Sequence, residues 1–260
     1  MTQVHVPQDF FAKLATAAHR ALLLDYDGTL APFRIERDLA TPFPGVRDVL
    51  MAMQLAGHTR LVIISGRRAC ELPALLGLER QPEIWGTHGW ERLGSDGSYT
   101  APQLQACACA GLAAARNWAE QRGLGQQIEE KPASLALHWR GLPADTIAEI
   151  HASALAHFAQ LAPAADLELS TFDGGLELRA PGRDKGFAAR AILSELGENA
   201  AIAYLGDDLT DEDAFAALDG RGLSVLVRAE LRPSKARIWL RPPEELLAFL
   251  WQWHRVCLDR

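Results

Sequence analysis

The strongest constraint in this chain is a set of short apolar runs that each stop at a polar or glycine-rich step. They are ALLLDYD (21–27), TRLVIISG (59–66), PEIWGTHG (82–89), AIAYLGDD (201–208) and LSVLVR (223–228). Each reads as a buried parallel strand. Between them, FPGVRDVLMAMQLAG (43–57), DKGFAARAILSELG (184–197) and TDEDAFAALDG (210–220) carry apolar residues at helical spacing. Strand–helix alternation predicts an α/β fold with a doubly wound parallel sheet. In such a sheet a ligand sits beyond the carboxyl ends of the strands.

The middle of the chain follows another rule. LQACACAGLAAARNWAEQRG (104–123) and ADTIAEIHASALAHFAQLA (144–162) read as helices. QQIEEKP and SLALHWR alternate like half-exposed strands, and ADLELSTFDGGLELRAP (165–181) reads as a hairpin around FDGG. Helix–strand–strand–helix–strand–strand is the pattern of an antiparallel sheet backed by helices on one face. The expected organisation is therefore a core over 1–103 and 179–260 with an α+β domain inserted at 104–178. With 260 residues, a core plus a sizeable insertion fits the length. Residues 1–20 read as an ordinary helix packing on the core. No further domain is expected before it.

The net charge of −7 argues against nucleic acid or an anionic membrane as the main partner. It leaves room for a phosphorylated small molecule, which needs only local cations. No apolar run reaches the ~20 residues of a membrane span, and the first residues lack a signal-peptide pattern. The expectation is a cytoplasmic monomer. Cys70, Cys107, Cys109 and Cys257 have no matching Cys/His pair at zinc spacing and read as reduced structural cysteines.

Four strand ends or helix starts carry polar residues of complementary kinds: Asp25 and Asp27, Ser65, Lys185, and Asp207 with Asp208. Some have plain structural readings. Ser65 could cap a following helix, and Thr210 with Asp213 resembles a capping box, which keeps Asp213 out of the site. Lys185 resists one, because a cation in a first helical turn opposes the helix dipole unless an anion intervenes. Gathered on one edge, the carboxylates at 25, 27, 207 and 208 raise each other's pKa values unless a cation sits among them. Hard oxygen ligands without thiolate or paired His favour Mg²⁺. A carboxylate left beside a metal-bound phosphate can attack phosphorus, with a lysine and a serine hydroxyl holding the remaining oxygens.

The ordered motifs DYDGTL, ISGR, RDKG and GDDLTDED resemble those of the haloacid-dehalogenase superfamily of aspartyl-nucleophile phosphatases. The resemblance implies that Asp25 is the nucleophile and Asp27 the general acid–base, whose backbone carbonyl also binds Mg²⁺. It makes Asp207 the main further ligand, Asp208 a direct or water-mediated one, and Ser65 and Lys185 the phosphoryl holders. In that superfamily an insert between the serine and lysine motifs is a cap that covers the active site and chooses the substrate.

The insert carries EEKPASLALHWR and GLELRAP. Alternation puts Glu129 and Lys131 on one face, and likewise His138 and Arg140. For any one of these charges the plain reading is a solvated sheet face, but sugar hydroxyls need the donors and acceptors that such a set supplies. Glu-x-Lys, His-x-Arg and a Glu before the lysine motif, together with DYDGTLAPF, ISGRR, GTHGWE and GDDLTDEDAFAAL, resemble the trehalose-6-phosphate phosphatase family from about residue 20 to 250. The implied activity is hydrolysis of trehalose 6-phosphate. Glu129, Lys131 and Glu177 would bind the distal glucose with Arg140 in support, and Arg67 and His88 would reach the sugar or the cap from the core. No fused synthase activity is expected. Rival readings are a phosphatase acting on sucrose phosphate or mannosylglycerate phosphate, a sugar phosphomutase, and a sensor that binds the sugar phosphate without turning it over.

Overall fold

The computed structural model describes residues 7–34, 36–172 and 174–258. The chain divides into two compact units, Met1–Thr100 with Asp184–Arg260, and Ala101–Arg183. The inserted unit is wider at both ends than the 104–178 read from sequence. Its last strand runs to Arg179, and the next N–H, of Ala180, still donates to the Ala133 carbonyl at 2.8 Å.

In chain order the first part of the core supplies α1 (Gln8–Thr16), β1 (His19–Leu24), α2 (Val46–Ala56), β2 (Arg60–Ile64), α3 (Leu72–Leu76), β3 (Glu83–Gly86), β4 (Glu91–Leu93) and β5 (Tyr99–Thr100). The insert supplies α4 (Ala106–Gln121), β6 (Ile128–Lys131), β7 (Ser134–His138), α5 (Ala144–Ala164), β8 (Glu168–Phe172) and β9 (Gly175–Arg179). The core resumes with α6 (Lys185–Leu196), β10 (Ala200–Gly206), α7 (Glu212–Ala217), β11 (Leu223–Val227), β12 (Ile238–Leu240) and α8 (Glu244–Leu258).

The core sheet has eight strands in the order β12-β11-β10-β1-β2-β3-β4-β5. It is parallel from β12 to β3, and β4 and β5 extend it antiparallel. Strand parity builds its two apolar layers. Leu22 and Leu24 of β1 join Leu61, Ile63, Leu205 and Val225 under α1, α2, α3 and α8. Ala21 and Leu23 join Val62, Ile64, Ile202 and Tyr204 under α6 and α7. The doubly wound sheet expected from sequence is therefore present. The first helix docks by aromatic contacts, Phe10 on Trp253 at 5.9 Å and Phe11 on Phe249 at 6.0 Å. Positions 1–6 of the expected N-terminal helix lie outside the described residues.

The chain leaves β1 toward β2 on one side and returns as β10 on the other. That makes the β1/β10 seam the topological switch point, where an open α/β sheet leaves a crevice.

The inserted unit is a four-stranded antiparallel sheet in the order β6-β7-β9-β8. Leu135, Leu137, Leu176 and Leu178 are buried on one face, where α5 contributes Ile150, Ala154 and Phe158 at helical spacing. The register places Glu129, Ala136, Glu177 and Ser170 side by side on the other face, with Lys131, Ser134, Arg179 and Glu168 in the next row. Among the described residues, no helix is long and apolar enough to cross a membrane.

Candidate active site

The register pairs Leu24 of β1 with Leu205 of β10, so Asp25 and Asp207 emerge together at the switch point. The Asp25 N–H donates to the Leu205 carbonyl at 2.9 Å, keeping the two exits in register past the strand. Both carboxyl groups are buried. Gly28 lets them meet: it has φ +85°, and a Cβ there would overlap the Asp207 carboxylate. Thr29 Oγ1 donates to Asp207 Oδ1 at 3.3 Å.

Lys185 opens α6 and lies 3% exposed. Its Nζ reaches Asp25 Oδ1 at 2.8 Å and Asp211 Oδ1 at 2.7 Å. These are the anions that a lysine at a helix start requires. Burial alone would lower the lysine's pKa, but Asp211 and Asp25 outweigh it and hold the ammonium firmly charged. Burial pushes Asp25 up, against Lys185, with Asp211 and Asp27 adding to the rise. Burial, then the charges of Asp25 and Asp211, push Asp207 up in the same way. The core thus holds a locally excessive negative charge, which a cation would relieve.

Sequence reasoning missed Asp211. It is fully buried, and its lone pairs are filled. Oδ1 accepts from Lys185 Nζ and from Tyr204 Oη at 2.5 Å, and Oδ2 accepts the N–H groups of Asp207 at 2.9 Å and Asp208 at 2.8 Å. Carboxylate oxygens of Asp25, Asp207 and Asp211 all lie within 4.8 Å of one another. With four donors on Asp211, only Asp25 and Asp207 keep lone pairs for a metal. These hard, negatively charged oxygens fit Mg²⁺. The reciprocal capping pair of this turn is Asp208 with Asp211, and not the Thr210–Asp213 pair read from sequence. Asp208 is half-buried beside it.

Asp27 is engaged elsewhere. Arg67 Nε and Nη2 bind its two oxygens at 2.6 and 2.7 Å, a bidentate pair in which the Arg67 side chain is 2% exposed. Ser65 leaves β2 with its N–H on the Trp85 carbonyl at 2.9 Å. Its Oγ accepts the Arg67 N–H at 3.2 Å, so it closes a local turn and caps no helix. His88 lies beside this turn, its ring where a Cβ on Gly66 would fall (2.6 Å from Nε2).

In the inserted unit, Glu177 is 4% exposed and accepts from Lys131 Nζ at 3.0 Å and Ser134 Oγ at 2.8 Å. Glu129 Oε2 meets His138 Nε2 at 2.8 Å and Lys131 Nζ at 3.7 Å. Glu129, Lys131 and Glu177 are thus brought together, and His138 joins them. Arg140 does not follow the alternation read from sequence. The strand ends at His138, Gly141 turns the chain at φ +85°, and Arg140 lies exposed over Gly174 in the β8–β9 hairpin.

A family profile for trehalose-phosphatase matches residues 23–241. The chain belongs to the trehalose-phosphatase family. It is 33% identical over 223 residues to the trehalose-phosphate phosphatase of Mycobacterium marinum, covering 82% of this chain and 55% of that protein. The chain therefore spans about half the length of this curated relative. It is also 32% identical over 255 residues to an uncharacterized glycosyl hydrolase of Mycobacterium tuberculosis, covering 92% of this chain and 18% of that protein. Among solved structures, the C-terminal domain of C. albicans trehalose-6-phosphate phosphatase superposes with a TM-score of 0.81 at 19% identity, covering 98% of this chain and 99% of that one. That likeness concerns the fold: a haloacid-dehalogenase-like α/β core with an inserted α+β cap. All the site residues described above lie within the part matched by the trehalose-phosphatase profile.

Proposed function

We propose that this chain hydrolyses trehalose 6-phosphate to trehalose and inorganic phosphate through a phosphoryl group carried on Asp25. The observation that carries the reading is the Asp25–Lys185–Asp207 cluster at the switch point of a trehalose-phosphatase-family core. A carboxylate facing a cation can accept a phosphoryl group without long-lived like-charge repulsion.

The Asp25 oxygen attacks phosphorus, and the bond from phosphorus to the sugar oxygen breaks. Asp27 protonates the departing oxygen. It then takes a proton from water as the water attacks phosphorus, the Asp25–phosphorus bond breaks, and phosphate leaves. Arg67 engages one lone pair on each Asp27 oxygen, which leaves a second on each for the proton that Asp27 carries. Arg67 and His88 would reach the sugar or the cap from the core. Lys185 and Ser65 hold the phosphoryl oxygens throughout. Asp25 and Asp207, with the Asp27 carbonyl and with Asp208 directly or through water, would hold Mg²⁺, which supplies charge neutralisation at the phosphoryl oxygens when bound. The cap contributes Glu129, Lys131 and Glu177 to the sugar hydroxyls, with Arg140 at the periphery.

This reading carries with it the expectation of a cytoplasmic monomer, which sedimentation and cell fractionation test. The deciding assay is phosphate release from trehalose 6-phosphate, sucrose 6-phosphate, mannosylglycerate phosphate and p-nitrophenyl phosphate, each with Mg²⁺ and with chelator. Preference for trehalose 6-phosphate, lost in chelator, is the expected result. Preference for another sugar phosphate would overturn the substrate, and tight binding without release would leave a sensor.

A further inference from the structure

The GTHGWE segment contributes more to the core than His88. The turn from β3 to β4 contains two consecutive non-glycine residues in the left-handed region, Thr87 at φ +47° and His88 at φ +53°. Side chains avoid that region, so the surroundings must hold the turn in place.

The turn lies between the two segments that carry Ser65 and Lys185. Toward Ser65, the Thr87 N–H donates to the Arg67 carbonyl at 2.7 Å and the His88 N–H to the Ser65 carbonyl at 3.0 Å. Gly86 meets this segment closely, since a Cβ there would overlap the Ala69 N–H group and lie 2.9 Å from the Arg67 carbonyl. Toward Lys185, a Cβ on Gly89 would lie 2.7 Å from the carbonyl of Asp184, the residue that caps α6. The backbone of the turn thus spaces one segment from the other.

Glu91 fastens it. This carboxylate is 1% exposed. Its Oε1 accepts from Thr87 Oγ1 at 2.5 Å and from the Ala69 N–H at 3.4 Å, and its Oε2 accepts from Tyr99 Oη at 3.0 Å. One side chain therefore ties the strained residue of the turn, the Ser65 segment and the edge strand β5 together. Packing alone would be served by an apolar residue, whereas a buried acid costs desolvation and is retained here with donors on both oxygens.

We propose that Glu91 is a positioning residue for the phosphoryl-holding pair, fixing the turn that sets the gap between Ser65 and Lys185. The inference rests on the reading of those two side chains as phosphoryl holders. Inorganic phosphate is the probe. Its affinity is measured by calorimetry with Mg²⁺ present and by inhibition of p-nitrophenyl phosphate hydrolysis, alongside Mg²⁺ affinity and thermal unfolding.

Glu91→Leu should weaken phosphate ~tenfold or more, and lower kcat/KM for p-nitrophenyl phosphate and trehalose 6-phosphate by similar factors. Thr87→Val, which removes only the hydroxyl, should weaken phosphate by roughly threefold to tenfold. Glu91→Gln keeps a carbonyl for Thr87 and should stay within about threefold of the parent protein. Mg²⁺ affinity should be unchanged throughout. Should Glu91→Leu not fold, Thr87→Val decides. Unchanged phosphate affinity in a folded Glu91→Leu or Thr87→Val protein would overturn the proposal, as would a loss of Mg²⁺ affinity of the same size. A parent protein that hydrolyses p-nitrophenyl phosphate but not trehalose 6-phosphate would sink the substrate reading and leave the Glu91 comparison intact.

Discussion

The core and the inserted unit both bury charged side chains, but they balance them differently. At the β1/β10 seam three carboxylates cluster, Asp25, Asp207 and Asp211, and the Lys185 ammonium lies directly on two of them, Asp25 and Asp211. On the polar face of the inserted sheet acids and bases alternate, Glu129 beside Lys131 and His138, and Lys131 beside Glu177. A cluster of unbalanced charge is relieved by an arriving cation or by a proton, whereas a balanced set of acids and bases already satisfies itself. The first fits a cation and a reacting phosphoryl group. The second fits a neutral polyol, whose hydroxyls exchange hydrogen bonds with it without a change of net charge.

The largest expected effect sits on the unbalanced side. Asp25→Asn keeps the shape and removes the attacking charge, and turnover should fall by ~10³-fold or more on every phosphate ester. A purified, folded Asp25→Asn protein with near-normal phosphate release would break the comparison at once. Next comes the metal. Chelator should abolish activity and Mg²⁺ restore it, while Ca²⁺, with its larger and looser coordination shell, should inhibit. Asp207→Asn should bind Mg²⁺ at least ~tenfold more weakly in calorimetry, and unaltered binding would remove Asp207 from the ligand set.

Asp211 sharpens the distinction between ligand and anchor. Because its lone pairs are filled by Lys185, Tyr204 and two backbone N–H groups, Asp211→Asn should lower kcat by roughly tenfold to a hundredfold through Lys185. Mg²⁺ affinity should change far less than in Asp207→Asn. The reverse pattern would make Asp211 a ligand. On the balanced side, Lys131→Ala or Glu177→Ala should cut kcat/KM for trehalose 6-phosphate by roughly tenfold to a few hundredfold, since each charged hydrogen bond to a hydroxyl contributes about 1.5–3 kcal/mol. Arg140→Ala should be the smallest effect, at about threefold or less in KM. A loss as large as that of Glu177→Ala would place the exposed Arg140 on the substrate after all.

What the sequence revealed and what it hid follow from the same physics. The buried strands were legible because β1, β2, β3, β10 and β11 are covered on both faces and so are largely apolar. The outer strands β4, β5 and β12 are short and carry Glu91, Arg92 and Tyr99 among their residues, which leaves no pattern to read. Asp211 was hidden in GDDLTDED, where four aspartates look alike until the turn folds the one at 211 back beneath the backbone of 207 and 208. Its spacing of four from Asp207, with the buried Tyr204 upstream, was the only available signal. Arg140 was misplaced by carrying strand alternation past His138, although the approaching Gly141 signals the turn that ends it. Arg67 looked like a contact to the sugar or the cap because nothing in sequence brings position 67 to Asp27. The strand order does that.

The account stands most directly on one paired measurement: kcat/KM for trehalose 6-phosphate and for p-nitrophenyl phosphate, side by side, in Asp25→Asn and in Glu177→Ala. The unbalanced site should matter to both substrates, so Asp25→Asn should lose both. The balanced site should matter only to the sugar, so Glu177→Ala should lose trehalose 6-phosphate and keep p-nitrophenyl phosphate within about threefold. Equal losses on the two substrates in Glu177→Ala, or surviving p-nitrophenyl phosphate hydrolysis in Asp25→Asn, would contradict it.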